Sequence, residues 1–190
     1  MKLKQKTMEA EPKGPESLAL KYRPKTWDEV VGQDSVVKSL RAAFKSKKLP
    51  HAFLFTGPSG CGKTTLARII ARQFGLHDRD VVEIDAASYS GVDAMRSITS
   101  TLLYRNIGDN PTRFIIIDEC HALSKAAWQA LLKSLEEPPE HVFWALCTTE
   151  PDKVPQTIKT RAYAYSLRAV PWETLSEWLA SIVKKEKMKV

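Results

Sequence analysis

The feature that most constrains this chain is a glycine-rich segment between two hydrophobic stretches. Residues 57–64 read Gly-Pro-Ser-Gly-Cys-Gly-Lys-Thr and satisfy the pattern G-x-x-x-x-G-K-[ST] at every fixed position. The apolar run at residues 53–55 predicts a strand before it, and the apolar spacing from Leu66 to Phe74 predicts a helix after it. A strand, this pattern and then a helix are typical of a phosphate-binding loop.

The residue types in the loop suit this chemistry. Glycines allow backbone amides to turn inward around a phosphate, and the N-terminus of the following helix adds positive partial charge. We expect Lys63 to reach the β- and γ-phosphates of a nucleotide and the Thr64 hydroxyl to bind Mg²⁺. A glycine-rich turn without a ligand is the alternative. The predicted nucleotide-binding residues of the loop are Gly57, Pro58, Ser59, Gly60, Cys61, Gly62, Lys63, Thr64 and Thr65.

A pair of acids supplies the second half of the predicted site. The β-branched run at residues 115–117 predicts a strand buried on both faces, as in a parallel sheet, and it ends in Asp118 and Glu119. Asp118 can hold Mg²⁺, and Glu119 can orient and deprotonate the attacking water. Acids also favour helix N-termini, which is the competing interpretation. The phosphate loop on another strand favours a metal-assisted hydrolytic site.

Two further polar features fit a hydrolase. Thr148 and Thr149 follow the next predicted strand, where a hydroxyl could contact the γ-phosphate or its water; a simple strand-end turn is the alternative. Arg161 precedes the last predicted strand, so we expect it on the far side of the sheet from its own site. It could serve a neighbouring subunit. Because an arginine supplied in trans contributes about 10³ to 10⁵ in rate, a lone chain should hydrolyse ATP feebly.

Strand and helix signals alternate along the chain. This alternation predicts an α/β fold, a three-layer, doubly wound, parallel five-stranded sheet with its ligand at the carboxyl ends of the strands. Helices are predicted at residues 35–47, 66–74, 91–103 and 154–159, after a cap at Ser124, and after Pro171. Strands are predicted at residues 53–55, 81–85, 112–119, 141–147 and 162–167. Residues 1–16 are predicted to be a disordered tail, and residues 17–168 the nucleotide-binding domain.

Composition limits the remaining possibilities. A chain of 190 residues can form one α/β domain with a substantial core. No apolar run is long enough to span a bilayer, so we expect no membrane partner and a cytoplasmic location. The net charge of +7 favours an acidic partner, most commonly nucleic acid. The three cysteines, Cys61, Cys120 and Cys147, lack the spacing of a metal site or a disulfide framework.

Several sequence blocks in one order resemble the ATPase domain of clamp loaders. The similarity is greatest to the gamma/tau subunits of bacterial DNA polymerase III and more distant to the small subunits of replication factor C. It covers roughly residues 18–185. Besides the phosphate loop, the blocks are Tyr22-Arg23-Pro24, Val31-Gly32-Gln33, and residues 82–88, 118–124, 131–139 and 148–151.

The resemblance implies an AAA+ fold and an ATP-hydrolysing subunit that acts in DNA replication, with ATP and Mg²⁺ as cofactors. With other clamp-loader subunits in a ring or spiral, it would open a sliding clamp and grip primer–template DNA. By position, the family's adenine contacts fall at Tyr22, Val30 and Val31, its γ-phosphate sensor at Thr148 and its trans-acting arginine at Arg161.

DNA phosphates in this family are met by helix N-termini. The candidates here are Ser90, Gly91 and Arg96, with an ordinary surface helix as the alternative. The chain departs from the family in lacking the cysteines of the zinc insert, so we predict no zinc. Its finger motif reads Thr160-Arg161-Ala162 instead of Ser-Arg-Cys. Residues 169–190 would be only the first helix of the helical lid, as expected of a fragment or of a natural short relative.

Two other functions stay open at this point. The first is a nucleotide-binding scaffold subunit of the same complex that does not hydrolyse ATP. The second is another AAA+ DNA motor, such as a Holliday-junction branch-migration helicase, which shares the Arg-Pro and Gly-Gln pairs of the lead-in. Stimulation of ATP hydrolysis by primed DNA plus clamp would separate all three.

Overall fold

The computed structural model describes residues 17–102, 104 and 110–188, so the tail predicted at residues 1–16 lies outside the described residues. The described residues form five strands: β1 (Ala52–Thr56), β2 (Val81–Asp85), β3 (Arg113–Asp118), β4 (Val142–Thr148) and β5 (Tyr163–Ser166). They also form helices α1 (Leu18–Lys21), α2 (Asp34–Lys45), α3 (Lys63–Gln73), α4 (Val92–Thr101), α5 (Lys125–Glu136), α6 (Gln156–Lys159) and α7 (Trp172–Lys185). Short 3₁₀ turns span Trp27–Glu29, Asp78–Asp80, Cys120–Ala122 and Pro151–Lys153.

The strands form one sheet in the order β2-β3-β4-β1-β5, and every pair is parallel. The predicted doubly wound, five-stranded sheet is therefore confirmed. Thr56 at the end of β1 lies opposite Thr148 at the end of β4, and Ile117 of β3 lies opposite Leu146. Because the strands run in one direction, the segments that follow β1, β3 and β4 meet at the same edge.

Buried side chains alternate between the two faces of the sheet. Phe53 and Phe55 of β1 face one hydrophobic cluster together with apolar residues of α2 and α3. Leu54, between them in sequence, faces a second cluster formed with α4, α5 and α6. The two clusters make the three layers that the continuous apolar strands predict.

Local signals set most helix boundaries. Ser124 caps α5 as predicted, because its hydroxyl accepts a hydrogen bond from the backbone N–H of Ala127 at 3.1 Å. Pro171 precedes the first residue of α7, also as predicted. The second helix ends at Lys45, two residues before the predicted end, and the backbone of Lys47 is left-handed (φ 54°). Among the described helices, none combines the length and the apolar character that a bilayer crossing requires.

Candidate active site

The phosphate loop joins the end of β1 to the start of α3. Its three glycines at positions 57, 60 and 62 have φ values of 145°, 76° and 101°, a region that other residues rarely adopt. A Cβ atom on Gly57 would lie 2.5 Å from the carbonyl oxygen of Leu167. The loop therefore requires glycine at this position both for its backbone conformation and for its close approach to the segment after β5.

Lys63 begins α3 and is buried, with 5% of its surface exposed. Its Nζ atom donates hydrogen bonds to the carbonyl oxygens of Gly57 and Pro58, both at 3.0 Å. A buried ammonium group is costly unless it is hydrogen-bonded and neutralised, and neutral carbonyls supply only the first of these. The side chain is thus suited to bind an anion that enters the loop.

Thr64 and Asp118 meet across the sheet edge. The Thr64 hydroxyl donates to Oδ2 of Asp118 at 2.8 Å, and Oδ1 of Asp118 accepts from the backbone N–H of Glu119 at 3.0 Å. Hydroxyl and carboxylate oxygens are the hard ligands that Mg²⁺ prefers. These two predicted metal ligands, which are 54 residues apart in sequence, are brought together by the fold.

Glu119 has a left-handed backbone, with φ and ψ both 44°. For a residue with a Cβ this conformation costs on the order of 1–3 kcal/mol, and such strain clusters at functional sites. Oε2 of its carboxylate accepts a hydrogen bond from the Thr149 hydroxyl at 3.0 Å and lies 3.3 Å from Nδ1 of His121. With this backbone conformation, the carboxylate of Glu119 reaches the residue that follows β4.

The two threonines at the end of β4 have different surroundings. Thr148 is fully buried; its Oγ1 accepts from the backbone N–H of Glu150 and lies 3.0 Å from Nδ1 of His121. Thr149 contacts Glu119 instead. Strand alternation turns neighbouring side chains in opposite directions, and the sequence alone does not show which of the two faces the acid. Sequence reasoning also assigned no role to His121, whose signal was its place two residues after Glu119.

A cavity of about 160 Å³ lies beside the phosphate loop. Val30 and Val31 line it, as the adenine assignment expects, and α7 contributes Leu175 and Trp178. Tyr22 is not among its lining residues. Its hydroxyl donates to Oε1 of Glu186 at 2.6 Å, and this hydrogen bond raises the pKa of Tyr22. Of the three predicted adenine contacts, the structure thus places the two valines at the cavity. The other lining residues are Pro24, Gly60, Cys61, Gly62, Thr65, Leu66 and Val170.

Gln33 connects three segments around the loop. Its side chain is 4% exposed, and Nε2 donates to the carbonyls of Arg168 at 2.7 Å and of Cys61 at 3.3 Å. Its Oε1 accepts from the backbone N–H of Arg168 at 3.3 Å. These bonds tie the N-terminal lead-in and the phosphate loop to the segment after β5. Its signal in the sequence was the Val31-Gly32-Gln33 block, from which we inferred no role for the glutamine.

Arg161 lies before β5, at the opposite end of the sheet from the phosphate loop that follows the parallel strand β1. Its Nη2 atom forms an ion pair with Oε1 of Glu136 at 2.6 Å, and Nη1 donates to the carbonyl of Thr157 at 2.7 Å. About a third of its side chain (34%) is exposed. The guanidinium is therefore held at the surface, away from its own phosphate loop.

The candidate DNA contacts surround the N-terminus of α4. Gly91 is the residue before the helix, and the carbonyl of Ser90 accepts from the backbone N–H of Ser124 at 3.2 Å. The first turns of α4 and α5 are thus neighbours. The side chain of Arg96 is 71% exposed, with Asp93 at 4.0 Å. A DNA contact at these residues stays a prediction.

Cys120, which follows Glu119, and Cys147, in β4, are both buried. Burial, followed by the charges of Glu119 and Asp118, raises the pKa of Cys120 to about 12. Burial also raises the pKa of Cys147 well above its usual value. Both thiols are therefore expected to be inert at neutral pH, because the thiolate is the reactive form. The expectation that the chain binds no zinc stays a prediction.

The strand order, the phosphate loop after β1 and the acidic pair after β3 define a P-loop AAA+ domain, followed by the first helix of a lid. Residues 76–171, half of the chain, match the family model described as DNA polymerase III, delta subunit, and the chain belongs to this family. Residues 13–106 also match the model of the Rad17 P-loop domain.

Among curated relatives, the chain is 39% identical to DNA polymerase III subunit gamma/tau of Mycobacterium bovis, over 90% of this chain and 33% of the relative. It is 37% identical to subunit tau of Bacillus subtilis, over 89% of this chain and 34% of the relative. The chain thus spans about a third of the length of these relatives.

Solved structures share the fold. The Holliday junction branch migration motor RuvB of Thermotoga maritima superposes with a TM-score of 0.70 at 25% identity, over 88% of this chain and 56% of that one. A gamma subunit-related protein of DNA polymerase III from the same organism gives a TM-score of 0.61 at 25% identity, over 78% and 49%. The backbone likeness is somewhat higher to the motor, whereas the curated sequence relatives named above are polymerase subunits.

Proposed function

We propose that this chain is an ATP-binding and ATP-hydrolysing subunit of a DNA polymerase sliding-clamp loader. The observation that carries the proposal is the convergence of Lys63, Thr64, Asp118 and Glu119 at one edge of the sheet, with Arg161 at the other. This chain then holds a nucleotide site at one edge of the sheet and, at the opposite edge, an arginine that lies away from that site. Membership of a DNA polymerase III family supports the replication context.

ATP binding begins at the loop. The β- and γ-phosphates replace the carbonyls of Gly57 and Pro58 as partners of Lys63, which exchanges neutral acceptors for charged ones. Val30 and Val31 offer an apolar wall to the adenine ring, and Tyr22, whose hydroxyl is bonded to Glu186, is the third proposed adenine contact. The segment held by Gln33 keeps the loop in place beside this wall.

Thr64 and Asp118 would hold Mg²⁺, since their oxygens are already within hydrogen-bond reach of each other. Bound Mg²⁺ neutralises charge on the β- and γ-phosphates. Glu119 acts as the general base: its carboxylate accepts a proton from the water that attacks the γ-phosphate. Thr148 or Thr149 provides the γ-phosphate sensor; the hydroxyl of Thr149 contacts the carboxylate of Glu119, and that of Thr148 contacts His121.

Arg161 serves the site of the next subunit in a ring or spiral of clamp-loader subunits. Arg161 lies at the opposite end of the sheet from the phosphate loop of its own chain, and its side chain is partly exposed. Both observations support this role. The adjacent first turns of α4 and α5, with Ser90, Gly91 and Arg96, would face the phosphates of primer–template DNA. In this proposal α7 is the first helix of the lid over the nucleotide, residues 17–168 form the nucleotide-binding domain, and the protein acts in the cytoplasm.

The test is the ATPase activity of the chain alone and together with its partner subunits. We expect the chain alone to bind ATP and to turn over feebly, and the complex to be stimulated by primed DNA plus sliding clamp. A scaffold subunit would contribute no hydrolysis to the complex. Hydrolysis by the lone chain that is fast and independent of its concentration would contradict the trans role of Arg161.

A second candidate function is a branch-migration motor, which the TM-score of 0.70 to RuvB favours. Such a motor should be stimulated by four-way junction DNA in the absence of any clamp. The same assay therefore compares primed DNA plus clamp with junction DNA alone, at one ionic strength, because binding to DNA depends steeply on salt.

A further inference from the structure

His121 lies at the centre of a network that the nucleotide chemistry described so far does not use. It belongs to the 3₁₀ turn Cys120–Ala122 directly after the acidic pair, and its side chain is only 16% exposed. Nδ1 lies 3.3 Å from Oε2 of Glu119 and 3.0 Å from Oγ1 of Thr148. Nε2 lies 3.1 Å from Oε1 of Glu150. The ring therefore connects the end of β3 with the end of β4.

The two ring nitrogens of His121 contact two different carboxylates. An ionised carboxylate can only accept, so the contact with Glu119 is favourable when Nδ1 carries a hydrogen. The other nitrogen faces the carboxylate of Glu150, which is held by Lys153 at 2.7 Å, so both carboxylate contacts are favourable at once when both ring nitrogens carry a hydrogen. The ion pair with Lys153, followed by weaker contributions that include the charge of His121, lowers the pKa of Glu150, so this acceptor is charged at neutral pH.

Among the described residues, the side-chain contacts of Glu119 are all made by Oε2: with the Thr149 hydroxyl, with the Thr149 backbone N–H and with His121. Oε1 is left as the oxygen that can face a water. Contacts to Oε2 from two different segments restrict the rotation of the carboxylate more than the contacts with Thr149 alone. The orientation of a base relative to its water contributes directly to rate.

We propose that His121 is a positioning residue for ATP hydrolysis, which fixes the carboxylate of Glu119 through Nδ1 and is itself fixed through Nε2 by Glu150. The proposal rests on the proposed function, in which Glu119 is the general base. In this proposal the effect of His121 on hydrolysis passes through Glu119. It belongs with the chemistry of hydrolysis and not with ATP binding, since its side-chain contacts within the described part of the chain are with Glu119, Thr148 and Glu150 and not with the phosphate loop.

The test uses two substitutions of His121, in each of which a side-chain amide takes the place of one ring nitrogen. An asparagine amide reaches the place of Nδ1, and a glutamine amide reaches the place of Nε2. His121→Asn should therefore keep the contact with Glu119, and His121→Gln should keep only the contact with Glu150. We expect His121→Gln to lower kcat of the clamp- and DNA-stimulated complex by about tenfold, the size of loss expected when one close polar contact to a charged group is removed. His121→Asn should stay within about threefold of the unchanged chain.

Three measurements separate this role from a structural one. The affinity for ATP, measured on the chain itself, should be the same for both variants, and the melting temperatures should agree. Equal kcat for the two variants would overturn the proposal. Glu119→Gln is assayed in parallel: if it is inactive while His121→Gln turns over like His121→Asn, only the positioning role fails. If Glu119→Gln hydrolyses ATP normally, the assignment of Glu119 as base fails, and the role of His121 with it.

Discussion

The two ends of the parallel sheet are built in opposite ways. At the carboxyl edge, partly buried hydrogen bonds join Thr64 to Asp118 and Asp118 to Glu119, and Lys63 is hydrogen-bonded to carbonyls of the phosphate loop. At the amino edge, Arg161 is held by one ion pair and one carbonyl at the surface. A buried polar network is costly to disturb, whereas an exposed ion pair contributes about 0–1 kcal/mol. The carboxyl edge is thus held firmly by its own chain, whereas the side chain of Arg161 at the amino edge is held only weakly.

Among the tests of this contrast, removing Arg161 is expected to have the largest effect on ATP hydrolysis. Arg161→Ala should lower ATP hydrolysis by the assembled complex by about 10³ to 10⁵, because an arginine supplied in trans stabilises the charge of the transition state. ATP binding by the chain itself should be unchanged. Lys159→Ala, at the end of α6, is the matched control. If Arg161→Ala also lowers the affinity of the chain for ATP, the two ends of the sheet are not independent.

Replacing Glu119, the proposed general base, tests the carboxyl edge of the sheet alone. Glu119→Gln should lower turnover by about 10² to 10⁴, the range for loss of a general base, while ATP still binds. Glutamine can still accept from Thr149, so the fold of the turn is retained. Turnover is measured with saturating ATP, and affinity by calorimetry; Glu140→Gln, an exposed position, is the control. An unchanged turnover rate would remove Glu119 from the mechanism.

Removing the lysine separates binding from chemistry at the same edge. Lys63→Ala should weaken ATP binding by about 10²-fold or more, because the only buried charge in the loop that can meet the phosphates is gone. Lys38→Ala, on the exposed side of α2, changes the net charge equally and should leave binding intact. Thermal unfolding should show Lys63→Ala to be folded, since the partners that it abandons are loop carbonyls. Equal ATP affinity in the two variants would contradict the assignment.

The contrast also explains what the sequence could predict. Residues 57–64 and the pair Asp118 and Glu119 follow from local patterns, and parallel strands bring any segments at their carboxyl ends together. The roles of Thr148 and Thr149 depend on which side of β4 each faces, and those of Gln33 and His121 on partners far away in sequence. Such long-range contacts leave no periodic signal in a single chain. The partner of Arg161 within this chain, Glu136, is another case.

The smallest expected effect tests how lightly Arg161 is held. The side chains of Arg161 and Glu136 are 34% and 40% exposed, so their pair is screened by solvent and salt. Glu136→Gln keeps an acceptor but removes the charge, and Arg161 retains the carbonyl of Thr157. We expect kcat of the assembled complex to fall by about threefold at low ionic strength and less at high, with Glu137→Gln as the neighbouring control. In an Arg161→Ala background the change should have no further effect. A rise in kcat would instead mean that Glu136 restrains Arg161 from reaching the neighbouring site. Glu136 would then slow hydrolysis instead of positioning the arginine for it.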